Sequence, residues 1–107
     1  MQHLSAQQVA EWLADPTREK PVLLDVREPW EYQTCHISGS QHIPMQTVPA
    51  RQTELDPDQP VVCICHHGMR SAAVAAFLEK NGFTQVINMT GGIDAWAKQV
   101  DPTMPKY

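Results

Sequence analysis

A chain of 107 residues, 42% hydrophobic and 19% charged, has the composition of one soluble globular domain, residues 1–107, with room for a core but none for a second domain. Eight Lys plus Arg against twelve Asp plus Glu give a formal net charge of -4, so no basic field invites nucleic acid or an acidic membrane. No window is long and apolar enough to span a bilayer, no basic and apolar leader opens the chain, and three cysteines without framework spacing argue for reduced thiols. A cytoplasmic location is expected.

Ser5, followed three residues later by Gln8, reads as a capping box that opens a helix whose apolar stripe is Val9, Trp12 and Leu13. Asp15 and Pro16 end it, and Trp12 at that spacing belongs to a core rather than to a binding platform. Pro21 introduces Val22 to Val26, a short buried strand that runs into Asp25, Arg27, Glu28 and Glu31. A carboxylate at a strand's carboxyl end lies near the other strand ends. Asp25 is therefore expected to brace a neighbouring loop by accepting from its amides or from Arg70. The bland alternative is a solvated charge run, which weighs more for Glu28 and Glu31 than for Asp25.

Pro29 to Thr34 makes one short helical turn, with Trp30 either an exposed apolar contact or, as the favoured reading, a core filler. Cys35 to Ser40 is a loop bent at Gly39, and His36 suits a hydrogen bond that fixes this loop better than proton transfer. Cys35 reads first as a small buried residue. The sharper alternative has it close enough to Cys65 to resolve a persulfide or form a regulatory disulfide. Gln41 to Ile43 is a brief strand, Met45 to Leu55 a short helix interrupted by Pro49, and Pro57 and Pro60 mark a turn.

The chemistry centres on Val61 to Ser71, VVCICHHGMRS. Its β-branched and small apolar start suits a buried parallel strand, and Cys65 then emerges at the carboxyl end, where open α/β sheets place their ligands. From Ser71 the positions Val74, Ala75, Phe77 and Leu78 recur at helical spacing until Asn81 and Gly82. Cys65 thus faces a helix N-terminus, whose dipole, loop amides and Arg70 favour the reactive thiolate. The same amides would hold an anion attached to the sulfur. Gly68 supplies the positive φ such a loop needs, and His66 and His67 are expected at its mouth, as added charge or proton relay. Alternation puts Cys63 in the core. Cys-x-Cys-His-His is too compressed for a structural zinc site, so no metal is expected there.

Beyond this loop, Gln85 to Met89 reads as a strand, and Gly91 and Gly92 permit close backbone approach. A last helix follows, with Ile93, Trp96 and Val100 on one face and Asp94 in its first turn, before an extended tail at Pro102 and Pro105. Strands alternating with helices imply an α/β domain with a mainly parallel sheet covered on both faces.

CHHGMRS resembles the active-site loop of the rhodanese family: Cys, two variable residues, Gly, a variable residue, Arg, then Ser or Thr. LLDVREPWEY, CHISGSQHIP and GGIDAWAKQ are similar to the family's other signatures, and in the same order. The resemblance implies a three-layer rhodanese-like fold with a central five-stranded sheet. It also implies a sulfurtransferase that carries a sulfane sulfur as a persulfide on Cys65, cradled by residues His66, His67, Gly68, Met69, Arg70 and Ser71. Asp25, Arg27, Glu31 and His36 would brace the site. Donor and acceptor would be small molecules such as thiosulfate and cyanide or a cellular thiol, with a sulfur-carrier protein as a further partner and no cofactor. Four residues separate Cys65 from Arg70, whereas phosphatases and arsenate reductases with related cradles have five, so the shorter loop suits a persulfide better than a tetrahedral oxyanion. The rivals are such a phosphatase or reductase, and a non-enzymatic binding module.

Overall fold

The computed structural model describes residues 1–107. Five strands, β1 (Gln2–Ser5), β2 (Val22–Asp25), β3 (Gln41–His42), β4 (Val61–Ile64) and β5 (Val86–Thr90), form one sheet in the order β1-β5-β4-β2-β3. Every neighbouring pair is parallel. The helices are α1 (Ala6–Ala14), α2 (Pro29–Thr34), α3 (Val48–Arg51), α4 (Met69–Lys80) and α5 (Gly92–Gln99). This is the expected three-layer α/β architecture, with a wholly parallel sheet.

Strand parity sorts the apolar residues into two cores. Leu23, Val62, Ile64, Ile87 and Met89 point to one face, where they pack with Ala6, Val9 and Trp12 of α1 and Ile93, Trp96 and Ala97 of α5. Leu24, Val61, Cys63 and Val86 point to the other, against Val48 of α3 and Val74, Ala75 and Leu78 of α4. A strand buried on both faces must be apolar at every position, and β4 is: all four residues are buried. The capping box at Ser5 forms in both directions, Gln8 N–H to Ser5 Oγ and Ser5 N–H to Gln8 Oε1.

Several elements depart from the sequence reading. β1, the polar run QHLS, carries no strand pattern; pairing with β5, Gln2 opposite Ile87 through Ser5 opposite Thr90, makes it one. Met45 to Leu55 is a 3₁₀ turn (Met45–Thr47), α3, and a second 3₁₀ turn (Gln52–Glu54). Pro49 lies in the first turn of α3, where its missing N–H costs nothing, and so opens that helix rather than interrupting one. α4 starts at Met69, ahead of its first apolar contact, because Gly68 caps it at φ 106°. Trp30 is 59% exposed rather than a core filler, since the buried face of the short α2 is given to Glu31.

Candidate active site

The strand order sets β4 beside β2. From their adjacent carboxyl ends the chain departs in opposite directions, through α4 to β5 and through α2 to β3, the kind of crevice where open α/β sheets bind ligands. Cys65 is the first residue beyond β4 and is buried. Gly68 N–H donates to its Sγ at 3.0 Å, and the Ser71 hydroxyl lies 3.3 Å away. Burial alone would push this thiol up. The Ser71 hydroxyl and the amides of Ser71, Gly68 and His67 outweigh that and hold it below the ordinary thiol value of 9.0.

Asn88 of β5 enters this arrangement without any motif to announce it. Its Nδ2 donates to the Gly68 carbonyl at 3.2 Å, which turns Oδ1 toward Ser71 Oγ, 2.5 Å away. Ser71 has one hydroxyl proton, so Asn88 and the Cys65 sulfur compete for it. A charged sulfur draws that proton; a neutral thiol releases it to the amide oxygen.

Arg70 closes the loop on α2. Its Nη1 and Nη2 donate to Glu31 Oε1 and Oε2 at 2.6 and 2.9 Å, a bidentate pair across 39 positions of sequence. Hydrogen bonding from Arg70 holds the Glu31 carboxyl down at about 2, against the penalty of its burial, and Glu31 in turn raises Arg70 above its ordinary range. Asp25 accepts neither from the loop amides nor from Arg70. Its Oδ1 takes the Arg27 backbone N–H at 3.1 Å and Nε at 2.9 Å, and its Oδ2 takes Nη2 at 2.7 Å. A guanidinium two residues away that is fully buried claims both oxygens. Arg27 also donates to the carbonyls of Glu31 and Cys35. The Asp25–Arg27 pair therefore fixes α2 and its end, and only Glu31 reaches the cysteine loop.

The two ion pairs meet at Tyr107, a residue that no sequence signal marks. Its hydroxyl accepts from Arg27 Nη1 and donates to Glu31 Oε2, both at 2.9 Å. Burial first, and the Glu31 charge, push this phenol up to about 12. Its ring stacks on His66 at 4.2 Å and meets Trp30 edge-on at 5.3 Å. The outer rim thus carries Trp30, Tyr107, His66, His67 and the 83% exposed Met69.

Gly92 explains how α5 approaches the loop. A Cβ there would lie 2.4 Å from the carbonyl oxygens of both Cys65 and His66, and φ is +59°. With no side chain in the way, Ile93 N–H donates to Cys65 O at 2.8 Å and Asp94 N–H to His66 O at 3.1 Å. The remaining candidates sit apart. His36 is exposed, bonds the Tyr32 carbonyl through Nδ1 at 2.9 Å and stacks on the Tyr32 ring, which fixes its own turn and touches nothing in the cysteine loop. Cys63 faces the α4 core, where burial pushes its thiol up to about 12. Cys35 is buried in the α1 and α5 core and gives its carbonyl to Arg27, while Cys65 packs in the other core; both are free thiols.

A buried cysteine sulfur ringed by amides, at a helix N-terminus and with the loop's arginine committed to a carboxylate, is built to carry charge on one sulfur. The family model for the rhodanese-like domain matches residues 5–99, and the chain belongs to that family. Among its relatives, the thiosulfate sulfurtransferase GlpE of Pseudoalteromonas translucida is 37% identical over 94 residues, 88% of this chain and 87% of GlpE. The probable adenylyltransferase/sulfurtransferase MoeZ of Mycobacterium tuberculosis is 36% identical over 97% of this chain, which spans only 26% of MoeZ. A crystal structure of a rhodanese-like domain protein from Staphylococcus aureus superimposes with a TM-score of 0.82 at 28% identity, covering 90% of this chain and 91% of that one. SSP1007 from Staphylococcus saprophyticus gives 0.84 at 28% identity, covering 94% and 97%.

Proposed function

We propose that this rhodanese-family domain is a sulfurtransferase with thiosulfate as a donor, working by double displacement on Cys65. The thiolate attacks the outer sulfur of thiosulfate; the S–S bond breaks, sulfite leaves with the electron pair, and Cys65 becomes a persulfide. Cyanide or a thiolate then attacks the terminal sulfur, taking it as thiocyanate or a new persulfide and returning the Cys65 thiolate. Electrons balance in both steps without a metal or organic cofactor.

The observation that carries this reading is the Gly68 N–H at 3.0 Å from Sγ, one of a set of loop amides aimed at the sulfur. Arg70, tied to Glu31, holds the loop in shape and leaves stabilisation of the anion to the amides. Glu31, with Asp25 and Arg27 behind it, positions Arg70. Three free cysteines fit a reducing cytoplasm as the place of work. The exposed Trp30 and Met69 at the rim suit a protein acceptor, such as a sulfur carrier, as well as a small thiol.

Intact-mass measurement tests the proposal. Thiosulfate should add the mass of one sulfur atom, cyanide should remove it, and Cys65→Ser should stay folded and never gain it. A Cys65→Ser variant that still turns over near the wild-type rate refutes the assignment. Hydrolysis of an aryl phosphate without sulfur loading would favour the phosphatase rival instead.

A further inference from the structure

We infer that His66, His67 and Asp94 form a binding site for one divalent metal ion of the zinc class on the outer face of the cysteine loop. Their ligand atoms all lie within 4.8 Å of one another. A tetrahedral ion with bonds of about 2.1 Å holds its ligand atoms about 3.4 Å apart, so side-chain rotation of about an ångström closes the site. Ile93 N–H to Cys65 O and Asp94 N–H to His66 O clamp the first turn of α5 onto the backbone of Cys65 and His66. That clamp exists only because Gly92 leaves its space empty. Asp94 is therefore set beside the histidine pair by the fold and does not rest there by side-chain chance.

The neighbours suit an ion. The His66 ring stands between Tyr107 at 4.2 Å and His67 at 4.0 Å, which narrows its rotamers. Asp94 Oδ2 is 3.9 Å from His67 Nε2 and 3.0 Å from Lys98 Nζ, the one cation the metal must displace. Lys98 is 61% exposed and swings into water at little cost. Two imidazoles and one carboxylate select zinc, nickel or copper over the oxygen-seeking magnesium and calcium. Three protein ligands leave a position open for water or an anion. An ion there would add positive charge to a region whose two arginines are already neutralised by Asp25 and Glu31. The ligands differ from the compact Cys-x-Cys-His-His set, because Cys63 is buried in the α4 core and the Cys65 sulfur faces the loop amides.

Calorimetric titration of metal-stripped full chain with zinc chloride tests the site. One equivalent should bind, Cys65→Ser should bind within about twofold of wild type, and Asp94→Asn and His67→Ala should each bind roughly tenfold or more weakly. Excess magnesium should not compete. Circular dichroism on each variant confirms that the fold is intact. Loss of binding in Cys65→Ser, wild-type binding by either ligand variant, or no one-to-one isotherm overturns the proposal.

Discussion

Replacing Glu31 with Gln removes the charge that Arg70 holds while keeping the size of the side chain. Glu31 is 4% exposed and takes both Arg70 nitrogens. Its depression from the ordinary 4.5 to about 2 corresponds to about 3 kcal/mol in favour of the charged form. Arg70 is partly in water, which screens the pair, so Glu31→Gln should cost about 2 to 3 kcal/mol in urea unfolding at pH 7. A carboxyl lowered on folding contributes fully above its unfolded value and loses that contribution as pH falls from 4.5 toward about 2. At pH 3.5 wild type should therefore have lost on the order of 1 kcal/mol of this contribution while the glutamine variant has lost none of it. Every other carboxyl is common to both proteins and cancels in the difference. A gap between the two proteins that is equal at pH 7 and pH 3.5 refutes the charge as its source.

Asp25→Ala leaves the fully buried Arg27 without its carboxylate, and urea unfolding should show a loss of about 3 to 5 kcal/mol; a loss of under about 1 kcal/mol would mean that water reaches the guanidinium. Ser71→Ala removes the hydroxyl donor near Sγ and leaves the amides, so the pH midpoint for iodoacetamide labelling of Cys65 in the native protein should move up toward 9.0 and the rate at pH 7 should fall. An unmoved midpoint would show that the amides alone hold the thiolate. Gly92→Ala drives a Cβ against two carbonyl oxygens at a φ of +59°, so a thermal melt should register a loss of about 3 kcal/mol together with slower persulfide loading. Near wild-type stability would mean that α5 shifts away freely.

Order and composition along the chain determined what depends on neighbours a few residues apart. The capping box at Ser5 and Gln8, the apolar runs of β2, β4 and β5, and the Gly68 turn after Cys65 are all local events, and local patterns report them. What only the tertiary structure decided is which strand ends lie side by side and therefore which polar groups meet. Nothing within the run QHLS makes it a strand; its ladder partner is more than eighty residues away. Arg70 finds Glu31 and not Asp25 because β2 lies next to β4, with α2 just beyond its end, and because Arg27 has already taken both oxygens of Asp25. Asn88 and Tyr107 join the site from β5 and the tail on the same terms. A buried charge takes whichever partner the packing brings within about 3 Å, and that choice is made across the sheet, where periodicity along the chain carries no information.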